Sequence, residues 1–429
     1  MTGPAPDLRV DADRLLRRLT ELSDIGAIEG TTGSSRLAFT DADKAGRDLV
    51  VAWMTELGLD ITVDGIGNIV AVRPGTEDLA PVMTGSHIDT VRTGGRYDGN
   101  LGVLAGLEVI ETLIAAGVET RHPIGVGVFS NEEGARFPPD MMGSLVYVGG
   151  MRLEEAHDTV GIDGARVGDE LERIGYLGTA PLPGLAPAAF VELHIEQGPV
   201  LEEAGLQIGA VESVQGISWT EVTIEGQSNH AGTTPMRLRH DPGWAAAEIT
   251  TFVRWLALEM GDPQVATVGK IDLHPNLVNV VPARATLTVD LRNTSETALQ
   301  EAEARLEAKL ANIAANEGVD ITTRTLARFE PVPFDPSVID LVEATATAHG
   351  CSTLRMPSGA GHDAQMLARV CPTAMIFTPS HRGISHNPAE HTDPEDLAAG
   401  ANVLLQTMLT LATGPATETA VLPVEETPE

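Results

Sequence analysis

The sequence predicts an α/β protein with a largely parallel central sheet, interrupted by an inserted α+β domain. Three observations carry that prediction. Short β-rich runs alternate with helical stretches from Asp41 to Phe129 and again from Pro336 to Leu411, the order of a parallel sheet covered by helices. Between them, the stretch after Gln215 reads β, α, β, β, α, β, which is the split βαβ or ferredoxin-like order. A length of 429 residues also suits two or three domains, at roughly 150 residues each.

Each element has its own signal. From Val10 to Ile25, Leu15, Leu16, Leu19 and Leu22 recur at helical spacing, and Asp41 to Leu57 repeats the pattern. Ile61 to Val63, Ile69 to Val72 and Pro81 to Gly85 are brief β-rich runs bounded by Gly, Pro and Asp, the last opening into a glycine-rich loop. A helix from Leu101 to Ala116 and a strand from Ile124 to Phe129 follow. In the insert, strands are expected at Gly216 to Glu225, Val265 to Ile271, Ala283 to Leu291 and Val319 to Leu326, with helices at Pro242 to Leu258 and Ser295 to Ala315. The α/β pattern then resumes with a helix from Pro336 to His349, a strand from Thr373 to Phe377 and a helix from Pro394 to Leu411. The expected domains are residues 1–214 and 330–414 for the α/β part and 215–329 for the insert. Residues 415–429 are rich in Pro, Thr and Glu with little to bury, and read as a disordered acidic tail.

The formal net charge is −33, from 61 acidic and 28 basic side chains. A nucleic-acid backbone or an anionic membrane surface calls for a basic face. Lys44, Lys270 and Lys309, the three lysines present, and the scattered arginines do not form one, so both partner classes are excluded. Aromatic residues make up 3%, so stacking platforms are not the main chemistry. Cys351 and Cys371 are too few for a disulfide framework and form no Cys-x-x-Cys pair, which fits small core residues in a reducing, cytoplasmic compartment. Met1 to Asp13 carries Asp7, Asp11 and Asp13, where an export signal needs a basic start and an apolar run. No apolar stretch reaches the roughly 18 to 20 residues that span a bilayer.

Five segments carry chemistry. Gly85-Ser86-His87-Ile88-Asp89-Thr90 follows a strand, and sites in open α/β sheets form at the carboxyl ends of strands. Asp89, two residues after His87, is placed to accept a hydrogen bond from the imidazole N–H and fix its tautomer. In Gly94-Gly95-Arg96-Tyr97-Asp98-Gly99-Asn100, Asp98 precedes a helix and reads equally as a ligand or a helix cap. Phe129-Ser130-Asn131-Glu132-Glu133-Gly134 again follows a strand. Its neighbouring carboxylates diverge, so one can ligate a metal while the other holds a water. In Val191-Glu192-Leu193-His194-Ile195-Glu196-Gln197-Gly198-Pro199, alternation puts Glu192, His194 and Glu196 on one face. Gly383-Ile384-Ser385-His386-Asn387-Pro388-Ala389-Glu390 is a late loop. Two histidines, a bridging carboxylate, a terminal carboxylate and a further histidine would hold two divalent ions about 3.5 Å apart, an arrangement that activates water for hydrolysis.

Together the five segments resemble the hydantoinase/carbamoylase amidases of the di-metal aminopeptidase and amidase superfamily. That family includes N-carbamoyl-L-amino-acid hydrolases, allantoate amidohydrolases and a class of β-ureidopropionases. The resemblance runs from about residue 10 to about residue 412. It implies an aminopeptidase-like catalytic domain and two divalent ions per subunit, zinc foremost, with manganese, cobalt or nickel open. His87, Asp98 and His194 would hold one ion and Asp98, Glu133 and His386 the other, with Glu132 as general base. Among His381, His386 and His391, the match at Gly383-Ile384-Ser385-His386 favours His386. The insert would serve as lid and dimerisation domain, with hinges near Val214 and Phe329. There His230 would polarise the substrate carbonyl, and Asn279 and Arg292 would hold a carboxylate. Gln197 would touch substrate, and the loop with Gly359 and His362 would line the pocket.

The implied reaction is removal of the carbamoyl group of an N-carbamoyl-L-amino acid by a water activated between the ions, giving the amino acid, carbon dioxide and ammonia. Allantoate and N-carbamoyl-β-alanine present the same ureido group and a carboxylate, and remain alternatives. An aminopeptidase or dipeptidase fits the Gln197, Asn279 and Arg292 matches less well. A non-catalytic binding protein would be expected to lack a ligand or the base, and all six are present. His122, His157, His240, His274 and His349 have no motif around them and read as surface or capping residues.

Overall fold

The computed structural model of the protein describes residues 7–414, so the acidic tail expected at 415–429 lies outside the described residues. The chain divides into two compact units. One is built from the residues up to Glu212 and those from Pro333 on; the other is Ser213–Val332. In chain order the strands are β1 (Asp60–Val63), β2 (Ile69–Arg73), β3 (Val82–His87), β4 (Ile124–Phe129), β5 (Ala189–Ile195), β6 (Ile208–Val214) and β7 (Gly216–Glu225). They continue with β8 (Asn229–His230), β9 (Val265–His274), β10 (Val280–Val281), β11 (Arg284–Asn293), β12 (Asp320–Phe329), β13 (Val332–Pro333), β14 (Thr353–Ser358) and β15 (Thr373–Thr378).

The first unit is built on one sheet, in the order β1-β2-β4-β3-β5-β15-β6-β13, with β14 beside β6. Its centre, β4-β3-β5-β15, is parallel, while β1, β2 and β6 join antiparallel. The central strands Ile124–Phe129, Ala189–Ile195 and Thr373–Thr378 are buried at every position; the first and last read accordingly as near-continuous apolar runs, while Ala189–Ile195 buries Glu192 and His194 among its apolar residues. The helix Asn100–Ala115 packs on β3, β4 and β5 and meets the helices Ala12–Ser23 and Pro394–Thr413. Residues 100–110 of that helix are all buried, as expected of a helix apolar on all sides. Strand β3 runs on to His87 rather than stopping at Gly85. Strands β6, β13 and β14 were not among the expected elements.

The second unit is an antiparallel sheet of order β12-β7-β11-β9 with two helices, Pro242–Met260 and Glu296–Glu317. Along β11, every second residue from Ala285 to Asn293 is buried, so one face of the sheet carries the core. That core gathers Val222, Ile224, Ile249, Val253, Leu287 and Leu299. Each fully buried aliphatic side chain there contributes about 1.5 to 3 kcal/mol by leaving water. A separate two-stranded antiparallel sheet pairs β8 with β10 and sets His230 opposite Val280.

Candidate metal centre

The centre forms where three parallel strands end together. His87 closes β3 opposite Phe129, the last residue of β4, and His194 lies on β5 opposite Phe377 of β15. Such strand ends open onto loops, and here the loops bring in Asp98, Glu132 and Glu133. Asp98 does not cap the following helix, whose N-cap is Gly99. The Asp98 side chain turns into the centre instead. A Cβ on Gly99 would sit 2.5 Å from His87 Nε2, so only glycine lets the backbone pass the ring. The Gly99 N–H donates to His194 Nε2 at 3.1 Å.

Asp98 is the hinge of the arrangement. Its Oδ1 lies 3.2 Å from His194 Nε2 and 3.6 Å from His87 Nε2, while its Oδ2 lies 3.5 Å from His386 Nε2. His386 is also 3.3 Å from Glu133 Oε2. Two sets of donor atoms result, His87/Asp98/His194 and Asp98/Glu133/His386, each with its atoms within 4.8 Å of one another. The two sets share Asp98, so one carboxylate faces both. His87 and His194 set their Nδ1 2.9 Å from the backbone carbonyls of Asp89 and Ile195, so in each ring Nδ1 is the anchored nitrogen and Nε2 the one turned to the centre.

The electrostatics call for cations. Burial alone would lower the His87 pKa, but Glu132, Asp98, Asp89 and Glu133 around it raise it well above its ordinary value. Burial pushes Glu132 well up, as do Asp363, Glu133 and Asp98, and it pushes Glu133 well up together with Asp98. Burial works against ionised Asp98 as well, yet the hydrogen bonds from His194 and His87 hold its carboxyl well below the usual range. Crowded, desolvated carboxylates retain protons unless positive charge replaces them. The imidazole and carboxylate donors fit divalent metal ions, so the clusters point to a di-metal site.

Glu132, also buried, sets its Oε2 3.3 Å from His87 Nε2. The expected link between Asp89 and His87 takes another form. The His87 ring meets the backbone carbonyl of Asp89, and the Asp89 carboxylate, 3.9 Å from Nδ1, instead accepts from the backbone N–H groups of Glu132 and Glu133. Gln197, at a φ of 59°, donates from Nε2 to Asp98 Oδ2 at 2.7 Å. Its Oε1 is buried and meets no donor among the described residues. His362 is fully buried behind His194, with ring centroids 4.6 Å apart and its Nε2 2.8 Å from Ser358 Oγ. Glu192 shares that pocket, accepting from Ser86 Oγ and from the N–H of Ala364, the residue after Asp363. Gly359 stands in the same loop. Glu196 points elsewhere, accepting from the N–H groups of Val200 and Leu201.

Glu390 was not anticipated. It is buried and accepts from the N–H groups of Tyr97 at 2.8 Å and Asp98 at 3.2 Å. Burial and the nearby Asp98 push it up to about 7. A side chain on Gly95 would run into its carboxylate, so the paired glycines beside Asp98 were the available signal.

In the second unit, His230 Nδ1 accepts from the N–H groups of Gly232 and Thr233 at 3.0 and 3.3 Å. A neutral ring so engaged carries its proton on Nε2. The Asn279 carbonyl accepts from Ala231 N–H, and Arg292 is held by Asp290 through Nε and Nη2 at 3.0 to 3.2 Å. Among the described residues no helix is long and apolar enough to cross a membrane.

Comparison with known proteins agrees with this geometry. The model of peptidase family M20/M25/M40 matches residues 83–410. The chain is 43% identical over 414 residues to an N-carbamoyl-L-amino-acid amidohydrolase of Rhizobium meliloti, covering 96% of this chain and 99% of that one. It is 38% identical to the allantoate amidohydrolase of Escherichia coli, over 91% of this chain and 96% of that one. A solved structure of a hydantoinase/carbamoylase family amidase from Burkholderia multivorans superposes with a TM-score of 0.93 at 45% identity, covering 96% of this chain and all of that one. The chain therefore belongs to peptidase family M20/M25/M40 and, within it, to the hydantoinase/carbamoylase amidases.

Proposed function

We propose that the chain is a metal-dependent amidohydrolase that removes the carbamoyl group of N-carbamoyl-L-amino acids. The observation that carries this is Asp98, whose two oxygens face two separate donor sets beside Glu132. The full-length similarity to an amidohydrolase named for that substrate supports the choice. His87, Asp98 and His194 would hold one divalent ion, zinc foremost, and Asp98, Glu133 and His386 the second; manganese, cobalt and nickel suit the same donors. Bound there, such ions acidify water and polarise a carbonyl.

The chain's own residues do the rest. Glu132 has a proton affinity raised by burial and by its acidic neighbours, so it takes the proton of the attacking water and delivers it to the leaving nitrogen. His230, with its proton on Nε2, is a donor suited to a developing oxyanion. Arg292 offers a planar fork that matches a carboxylate, Asn279 adds an amide, and Gln197 contributes a second amide to the substrate. Gly359 and His362 belong to the loop that lines the pocket. The Ser213–Val332 unit acts as lid and dimerisation domain. Support for that role comes from the exposed Trp244, Trp255 and Leu258 on its helix Pro242–Met260 and from its edge strand β9. A homodimer and a cytoplasmic location complete the proposal.

A panel of N-carbamoyl-L-amino acids, allantoate, N-carbamoyl-β-alanine and a dipeptide, each with and without chelator and added metal, tests the assignment. Highest kcat/KM on an N-carbamoyl-L-amino acid, lost on chelation and restored by a divalent ion, is expected. A preference for allantoate, which the Escherichia coli relative's name makes the second reading, or for the dipeptide would overturn the substrate. Light scattering and cell fractionation test the dimer and the location.

A further inference from the structure

We propose that Asp89 is the positioning residue for the Glu132–Glu133 pair, rather than a clamp on the imidazole two residues before it. Its carboxylate is fully buried and spans two successive backbone amides, Oδ1 accepting from Glu132 N–H at 3.2 Å and Oδ2 from Glu133 N–H at 3.3 Å. Consecutive amides aimed at one anion form a small backbone concavity. The turn is bracketed by Asn131 and Gly134, both at positive φ, and the Glu132 carbonyl is taken by Met141 N–H at 2.7 Å.

Gripping both amides fixes the peptide plane between the two glutamates, and with it the divergence of their side chains. Glu132 is sent toward His87 and Glu133 toward His386. The His87 ring does not need the Asp89 side chain, because the Asp89 backbone carbonyl already meets Nδ1 at 2.9 Å. A change to the carboxylate therefore acts on the Glu133 half of the centre and on the base, and spares the His87 half. This inference rests on the two-ion assignment proposed above.

Cobalt(II) alone, followed by visible absorption, is the probe, with His386→Ala and His194→Ala chains supplying the single-site reference spectra. Asp89→Asn places an amide N–H against a backbone N–H with little change in shape. It should keep one ion with the His386→Ala spectrum and weaken the other by about 10- to 100-fold. Its kcat should fall by about 100-fold while KM stays within about threefold, the cost of roughly 1 Å of misplacement. A retained ion with the His194→Ala spectrum, or two unchanged ions with unchanged kcat, overturns the inference while leaving the two-ion assignment intact. A wild-type chain that takes up fewer than two ions overturns that assignment and this inference with it. Should Asp89→Asn not fold, amide hydrogen exchange on the wild-type chain decides: slow exchange at both Glu132 and Glu133 is expected, and fast exchange at either overturns the inference.

Discussion

Gly99→Ala isolates the close approach of the backbone to the His87 ring. Two costs are expected. Gly99 sits at φ 66° and ψ −47°, a conformation sparsely populated by residues with a side chain, and entering it costs about 1 to 3 kcal/mol. The added Cβ would also lie 2.5 Å from His87 Cε1 and Nε2 and 2.6 Å from Cδ2, where carbon contacts ordinarily settle near 3.5 to 4.0 Å. His87 is fully buried, so a ring retreat of roughly 1 Å meets packed neighbours, an overpacking cost of about 1 to 3 kcal/mol. The sum is about 2 to 6 kcal/mol of stability, with turnover down by about 100-fold from the displaced imidazole. Gly117→Ala is the control, because Gly117 has a φ of 63° and nothing within 4 Å of its would-be Cβ. It should show the backbone cost alone. Urea unfolding of both variants, with bound metal and kcat measured alongside, makes the comparison. If Gly99→Ala is no less stable than Gly117→Ala and turns over normally, the close approach of Gly99 to His87 is not what the site depends on.

Three further outcomes follow from the same geometry. Glu132→Gln should lower kcat by about 10²- to 10⁴-fold with metal content unchanged, and near-normal turnover with two ions bound would remove it as the base. Arg292→Ala should cost about 10- to 100-fold in kcat/KM on carboxylate-bearing substrates, without rescue by Arg292→Lys; an equal loss on a substrate whose carboxylate is replaced by an amide would defeat the assignment. Burial pushes the Asp64 carboxyl up to about 6 despite hydrogen bonds from Asn68 and Ile66, against about 3.9 when unfolded. Between those values the folded chain keeps a proton that the unfolded chain has lost, so this group's contribution to stability falls as pH rises from about 4 to 6, by up to about 3 kcal/mol. The destabilisation by Asp64→Asn should therefore shrink over that window, and a pH-independent difference would refute it.

What the sequence disclosed divides along physical lines. The buried parallel strands were legible because Ile124–Phe129 and Thr373–Thr378 are short, near-continuous runs without a charged residue. Thr353–Ser358 was not, since Arg355 and Pro357 break any pattern and its pairing with β6 comes from tertiary context. The residues gathered at the centre were legible because their side-chain types and flanking glycines are local signals. Which atoms they meet was not. That Asp89 turns its carboxylate to two amides across β3 and β4, or that Glu390 reaches back to the Asp98 amide, depends on loops brought together only by the folded sheet.

The Ser213–Val332 excursion has matched ends on both sides. In the host unit, Phe334 N–H donates to the Glu212 carbonyl at 2.9 Å. In the excursion itself, Ile217 pairs with Phe329, setting its entry and exit about one strand spacing apart. A floppy loop of that length would cost the host closure entropy that grows by about 0.6 kcal/mol with each doubling. A folded excursion whose own ends already meet removes most of that burden. To the host unit, the whole second unit is topologically little more than a hairpin turn, so two segments distant in sequence can fold as though they were contiguous.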